Sequence, residues 1–200
     1  VRADLVSLSA HKMYGPKGIG ALYVRRRPRT RLAPLFSGGG QERGFRPGTL
    51  PVPMIVAMGE AARLATLEGP AESERLRRQA DRLLALLGAA IPGLTLNGHR
   101  QRRVAGNLNL TFPARPAAEI LRAAPDLCLS TSSACTTAAD GAVGPSHVLT
   151  AIGLSPDAAR RSLRIGLGRF TSDEDVEAAA EHLATAGQPQ VAAAAWSAAT

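Results

Sequence analysis

The 200-residue sequence contains only two cysteines, one tryptophan and 4% aromatic residues. Cys128 and Cys135 are too few for a disulfide framework and wrongly spaced for a four-ligand zinc site, so no metal centre is expected. No stretch approaches the roughly 20 unbroken apolar residues of a membrane span. The N-terminus lacks the basic, apolar, small-residue succession of a signal peptide. A cytoplasmic protein that does not engage a membrane is therefore expected. The scarcity of aromatics also bears on the formal charge of +8, which comes almost wholly from arginine at Arg25 to Arg31, Arg100 to Arg103, and Arg160 and Arg161. Stacking aromatics do not interleave with these clusters and no nucleic-acid motif accompanies them. They read as solvated surface charge, with no direct contact to nucleic acid.

With 45% hydrophobic residues, the chain can bury one sizeable core or two smaller ones. It starts at Val1 and runs straight into the strand-like Leu5-Val6-Ser7-Leu8, as though sequence preceded it. A turn-rich segment containing Gly15-Pro16-Lys17-Gly18 separates this run from Ala21-Leu22-Tyr23-Val24. Two short apolar runs punctuated by Gly and Pro read as neighbouring buried strands of an α/β sheet. Leu35 to Pro53 is rich in Gly and Pro, and a loop of that length is commonly functional. A helix is expected from Met54 to Leu67, ended by Gly69-Pro70, and a second from Ser73 to Ala90 whose Leu76, Ala80, Leu83, Leu84 and Leu87 share one face. Beyond Pro92-Gly93 a smaller α+β unit is predicted. It comprises strand Asn107 to Phe112, helix Ala117 to Ala124, strand Leu127 to Ser130, helices near His147 and Pro156, strand Leu163 to Leu167, and a last helix. Thr171 and Glu174 have capping-box spacing at the start of that helix. Gln188 to Thr200 reads as a frayed tail.

Three places carry candidate chemistry. Lys12 follows an apolar strand and lies beside Ser9 and His11, where its amine would project from the strand end. A Schiff-base lysine needs such a partly desolvated position, with hydroxyl and imidazole nearby for a phosphate, although a turn lysine is a solvated surface charge in most proteins. Cys135 sits in the small, polar run Ser130-Thr131-Ser132-Ser133-Ala134-Cys135-Thr136-Thr137, which suits a thiol that moves and reacts. Cys128, between Leu127 and Leu129, reads as a small packing residue. Arg164 stands in an otherwise apolar strand, and a buried arginine needs an anion, either a structural carboxylate or that of a substrate.

Taken together, Ser9-Ala10-His11-Lys12-Met13-Tyr14-Gly15-Pro16-Lys17-Gly18, Gly38-Gly39-Gly40-Gln41-Glu42-Arg43-Gly44 with Arg46-Pro47-Gly48-Thr49, Ser132-Ser133-Ala134-Cys135, and Arg164 to Phe170 resemble cysteine desulfurases of the NifS and IscS type. These are pyridoxal 5'-phosphate (PLP) enzymes of the class V aminotransferase family with fold type I. The resemblance implies an α/β chain carrying the last strands of the large-domain sheet, followed by a smaller α+β C-terminal domain. Residues 1–70 would complete the PLP-binding domain and its Gly-rich dimer loop, 71–187 would form the small domain bearing the cysteine loop, and 188–200 would be a disordered tail. Lys12 would bind PLP covalently, Ser9 and His11 would contact its phosphate, and Thr49 would reach the phosphate in the neighbouring subunit of a homodimer. Arg164 would hold the carboxylate of L-cysteine. Cys135 would take the sulfur as a persulfide, leaving L-alanine, and pass it to an iron–sulfur scaffold or another acceptor, such as a tRNA-thiolation protein.

A selenocysteine lyase-like enzyme would not need Cys135, and an inactive truncated relative would survive as a dimerising or partner-binding piece. The family's ring-stacking aromatic, pyridine-nitrogen aspartate and phosphate loop belong to an upstream half. A sheet reduced to its last strands would expose a long apolar edge. The 200 residues alone are accordingly expected to fold poorly or bind PLP weakly. Asp140 to Gly144 make the segment after Cys135 slightly longer than the resemblance leads one to expect.

Overall fold

In the computed structural model, residues 2–27, 30–131 and 145–189 are described. The chain divides into two compact units, Val1–Ala71 and Glu72–Thr200. In the first, β1 (Leu5–Ser9) and β2 (Gly20–Val24) pair antiparallel, with register from Leu5 opposite Val24 to Ser9 opposite Gly20. Gly20 is required by close approach, since a Cβ there would lie 2.5 Å from the Leu8 carbonyl oxygen. The expected pairing is present, but the expected burial is not. Leu5 and Leu8 are each 44% exposed, Leu22 52% and Tyr23 51%. Among the described residues this sheet has only two strands, and such a ribbon leaves its apolar side chains uncovered.

A short 3-10 turn at Gln41–Gly44 precedes α1 (Val52–Ala90), a single helix of 39 residues. Here the sequence predicts two helices broken at Gly69-Pro70, and the structure corrects it. Pro70 deprives the Thr66 carbonyl of its usual donor and costs roughly 3 kcal/mol in a helix interior. That cost is confined to one turn, whereas helix-favouring Ala, Leu, Glu and Arg residues flank it on both sides. Earlier in the helix, Arg63 donates two 2.7 Å hydrogen bonds to Glu60 and holds its carboxyl below the ordinary value of 4.5.

The second unit is built on a three-stranded antiparallel sheet ordered β3 (Thr95–Leu96), β4 (Asn107–Thr111), β5 (Ser162–Gly166). Its core is formed by Leu83 and Leu87 of α1, Leu108, Leu110 and Phe112 on and just after β4, Leu163 and Ile165 of β5, and Leu183 of α5 (Asp173–Gly187). The face predicted for the second helix is the buried one, with Leu76, Ala80, Leu83 and Leu87 all inside. A polar cluster is buried alongside. The Asn97 amide donates to Asn109 Oδ1 (2.7 Å), Thr111 Oγ1 (2.9 Å) and Ser162 Oγ (3.1 Å), and Ser162 donates to the Ala158 carbonyl (2.8 Å).

Helices α2 (Ala117–Ala123), α3 (His147–Ala151) and α4 (Pro156–Arg160) lie where the sequence places them. Leu127 to Ser130 is not a strand. Only Ser130 forms an isolated bridge, to Arg164. The cap of α5 is shifted by one residue from the predicted pair: Ser172 and Asp175 form the capping box. Thr171 is occupied elsewhere, its hydroxyl accepting a 2.9 Å bond from the Gly168 amide. The predicted tail lies outside the described residues from position 190 onward, as does the longer segment Asp140 to Gly144.

Candidate active site

Lys12 is carried by a short 3-10 turn, Ala10–Met13, that begins where β1 ends. Ala10 anchors the turn: it is fully buried, its amide donates to the Ile19 carbonyl (3.1 Å), and its carbonyl accepts from the Gly15 amide (2.9 Å). Tyr14 closes the turn in the left-handed region at φ 64°. With Ala10 turned in, Ser9, His11 and Lys12 are exposed. The Ser9 hydroxyl caps no backbone group, and Lys12 forms no ion pair among the described residues. A hydroxyl, an imidazole and an amine are thus presented together at the carboxyl end of a strand. Positions 1–50 carry ten Lys and Arg against two acidic residues, Asp4 and Glu42. One of those, Asp4, is paired to Arg25 at 3.2 Å. The excess of positive charge in this stretch of sequence favours an anion such as a phosphate.

Thr49 ends a loop held by its own side chains. Gln41 Oε1 accepts from the Gly48 amide (3.2 Å), and Arg46 donates to the carbonyls of Gly48 (3.2 Å) and Thr49 (3.3 Å). Glu42 and Arg43 are both left-handed, at φ 48° and 59°. Two successive non-glycine residues in that region carry strain that persists only where the surroundings over-determine it, a condition met disproportionately at functional loops.

Arg164 belongs to the second unit. It stands in the middle of β5, opposite Asn109 of β4. The sequence reading has it buried; the structure exposes it, because strand residues alternate and it faces away from buried Leu163 and Ile165. It forms no ion pair among the described residues. Its backbone is bridged to Ser130, with the Arg164 amide donating at 2.6 Å and the Ser130 amide returning at 3.2 Å. Ser130 stands five positions before Cys135, which lies outside the described residues. Cys128 is exposed, not packed as expected, because without a strand from Leu127 to Ser130 it has no ladder neighbours.

Sequence reasoning passed over the residues that hold the segment after β5. Arg75 of α1 donates to the carbonyls of Thr171 (2.8 Å), Gly168 (3.2 Å) and Arg169 (2.9 Å), and also to Gln79 (2.9 Å). Glu72 accepts from Arg169 at 3.0 Å in a largely buried pair. The only signal available was the spacing of Glu72, Arg75 and Gln79 beside the apolar stripe of the helix.

The family model described as "Aminotransferase class-V" matches residues 1–179. The cysteine desulfurase IscS of Anaeromyxobacter sp. (strain Fw109-5) is 54% identical over 174 residues, covering 87% of this chain and 42% of that protein. A solved NifS-like protein from Rickettsia africae superposes with a TM-score of 0.78 at 26% identity, covering 92% of this chain and 47% of the other. Another solved structure, "SspA in complex with cysteine", is 36% identical with a TM-score of 0.58 and covers 84% of this chain and 45% of its own. The chain thus spans less than half the length of these relatives. The strand-end lysine turn and the segment around Arg164 both fall within the matched residues, and this chain belongs to the class-V aminotransferase family.

Proposed function

We propose that this chain carries the lysine and cysteine machinery of a PLP-dependent cysteine desulfurase. The observation that supports the reading most directly is Lys12, exposed beside Ser9 and His11 in a basic surrounding with its amine in no ion pair among the described residues. This set fits the amine-reactive and phosphate ends of PLP: Lys12 would hold the cofactor, Ser9 and His11 would bind its phosphate, and Thr49 would serve the neighbouring subunit of a homodimer. PLP, when bound, withdraws electrons from the substrate's Cα and makes its carbon–sulfur bond labile.

The side chains do the rest. Arg164 binds the substrate carboxylate, its exposure leaving the guanidinium fork open for a bidentate pair. Lys12 moves the proton at Cα once its amine is free. Cys135 as thiolate attacks the substrate sulfur. In the net reaction L-cysteine and the Cys135 thiol become L-alanine and a Cys135 persulfide, with the sulfur–carbon bond broken and a sulfur–sulfur bond formed. The persulfide then passes its outer sulfur to an acceptor protein of iron–sulfur assembly or tRNA thiolation. A cytoplasmic setting accords with a sequence that holds only two cysteines and with the lack of a helix long and apolar enough to cross a membrane among the described residues.

The test is intact-mass analysis of the full-length protein after incubation with PLP and sulfur-labelled cysteine, followed by thiol trapping and peptide mapping. Label is expected on Cys135. Cys135→Ala should remove the label and keep the cofactor's absorbance, whereas Lys12→Ala should remove both. Cofactor-loaded protein that releases alanine with no label on Cys135 would refute this assignment in favour of a lyase.

A further inference from the structure

The second unit contains a cavity of about 250 Å³ that the proposed chemistry does not use. One wall is a single face of α1, with Arg77, Asp81 and Leu84 at helical spacing. The opposite wall is the turn between β3 and β4, which contributes Arg100 and Arg103. The turn is ordered by its own contacts. His99 Nδ1 accepts from the amides of Gln101 (3.0 Å) and Arg102 (3.1 Å), and Arg103 Nη2 donates to the Asn97 carbonyl (2.8 Å).

What distinguishes the cavity is uncompensated charge. Arg103 Nε and Nη1 are closed off from water and have no hydrogen-bond partner. Burial pushes its guanidinium below the ordinary value. Neither Arg77, Arg100 nor Asp81 forms an ion pair among the described residues. Three guanidiniums and one carboxylate leave two positive charges around one small space with an apolar floor. Buried donors without acceptors are costly, and the cost is relieved by an acceptor that carries charge.

We infer that the cavity lined by Arg77, Arg100 and Arg103 is a binding site for a small dianion, a phosphate ester or a dicarboxylate. The site involves none of Lys12, Thr49, Cys135 or Arg164, so it stands or falls apart from the desulfurase reading. A molecule filling it would tie the β3–β4 turn to α1.

Calorimetric titration of the full-length protein with glycerol 3-phosphate and, separately, with succinate tests this at low and at raised salt. Saturable one-site binding of either probe is expected, weaker at higher salt. Preference for glycerol 3-phosphate would identify a phosphate-ester site, and preference for succinate a dicarboxylate site. Arg77→Ser and Arg100→Ser, both at exposed positions, should each weaken binding about tenfold or more. Arg102→Ser removes a neighbouring charge outside the lining and should leave affinity unchanged. Failure of both probes to bind, or equal affinity in all three variants, would overturn the proposal.

Discussion

Among single residues, the polar side chains that bind one another deep in the second unit carry a cost that a single substitution exposes. Thr111 accepts from Asn97 and shares a 2.8 Å hydrogen bond with Ser162, and all three are buried. Replacing Thr111 with Val keeps the volume and removes the hydroxyl, leaving Asn97 and Ser162 short of a partner. A loss of about 1 to 3 kcal/mol is expected in denaturant unfolding, and the double variant with Ser162→Ala should lose less than the sum of the two. The candidate site was legible at this scale where residue type alone restricts the chemistry. Lys12 beside Ser9 and His11 is such a place. The exposure of Arg164 was not legible, because it depends on which face of β5 meets the core. Arg103 gave no signal, since a cluster of surface arginines and arginines gathered around a cavity read alike until the turn is folded.

At the level of elements, periodicity located most of what forms. Of the leucine stripe, Leu76, Leu83 and Leu87 are buried as their spacing requires and Leu84 is partly buried. The errors fall where a local signal was outweighed or duplicated. Gly69-Pro70 reads as a helix stop, yet α1 continues through it. Thr171-Glu174 and Ser172-Asp175 offer the same capping spacing, and the choice between them is made by the Gly168 amide claiming Thr171. Leu127 to Ser130 has strand composition but only one bridged residue, so composition without a ladder misled. If α1 runs on in spite of Pro70, Pro70→Ala should raise unfolding stability by about 1 to 3 kcal/mol. An unchanged denaturation midpoint would mean that the missing hydrogen bond costs nothing there.

For the whole chain, the two units differ in how much apolar surface each encloses. The second has a continuous core around Leu83, Leu110, Phe112 and Leu163, while the β1–β2 ribbon of the first leaves Leu5, Leu8, Leu22 and Tyr23 open. Opening free energy follows burial. Hydrogen exchange on the 200-residue chain should therefore protect amides of β4 and β5 well beyond those of β1 and β2. Equal protection would show that the ribbon is stabilised by something other than the burial described. Sequence composition allowed one sizeable core or two smaller ones without revealing this imbalance, because Leu and Val count as hydrophobic whether or not anything lies over them.

The boundary between the units, at Ala71 and Glu72, falls inside α1. There is consequently no linker at which to part them. A protein engineer who wished to express either unit separately would have to sever an intact helix, freeing up to four carbonyls on one cut end and four amides on the other. Limited proteolysis meets the same obstacle, because a protease needs extended backbone and this junction offers helical backbone. A chain divided at residue 71 would need a designed cap on each new end, while the contacts that Arg75 makes with the segment after β5 lie wholly within the second unit and would stay together.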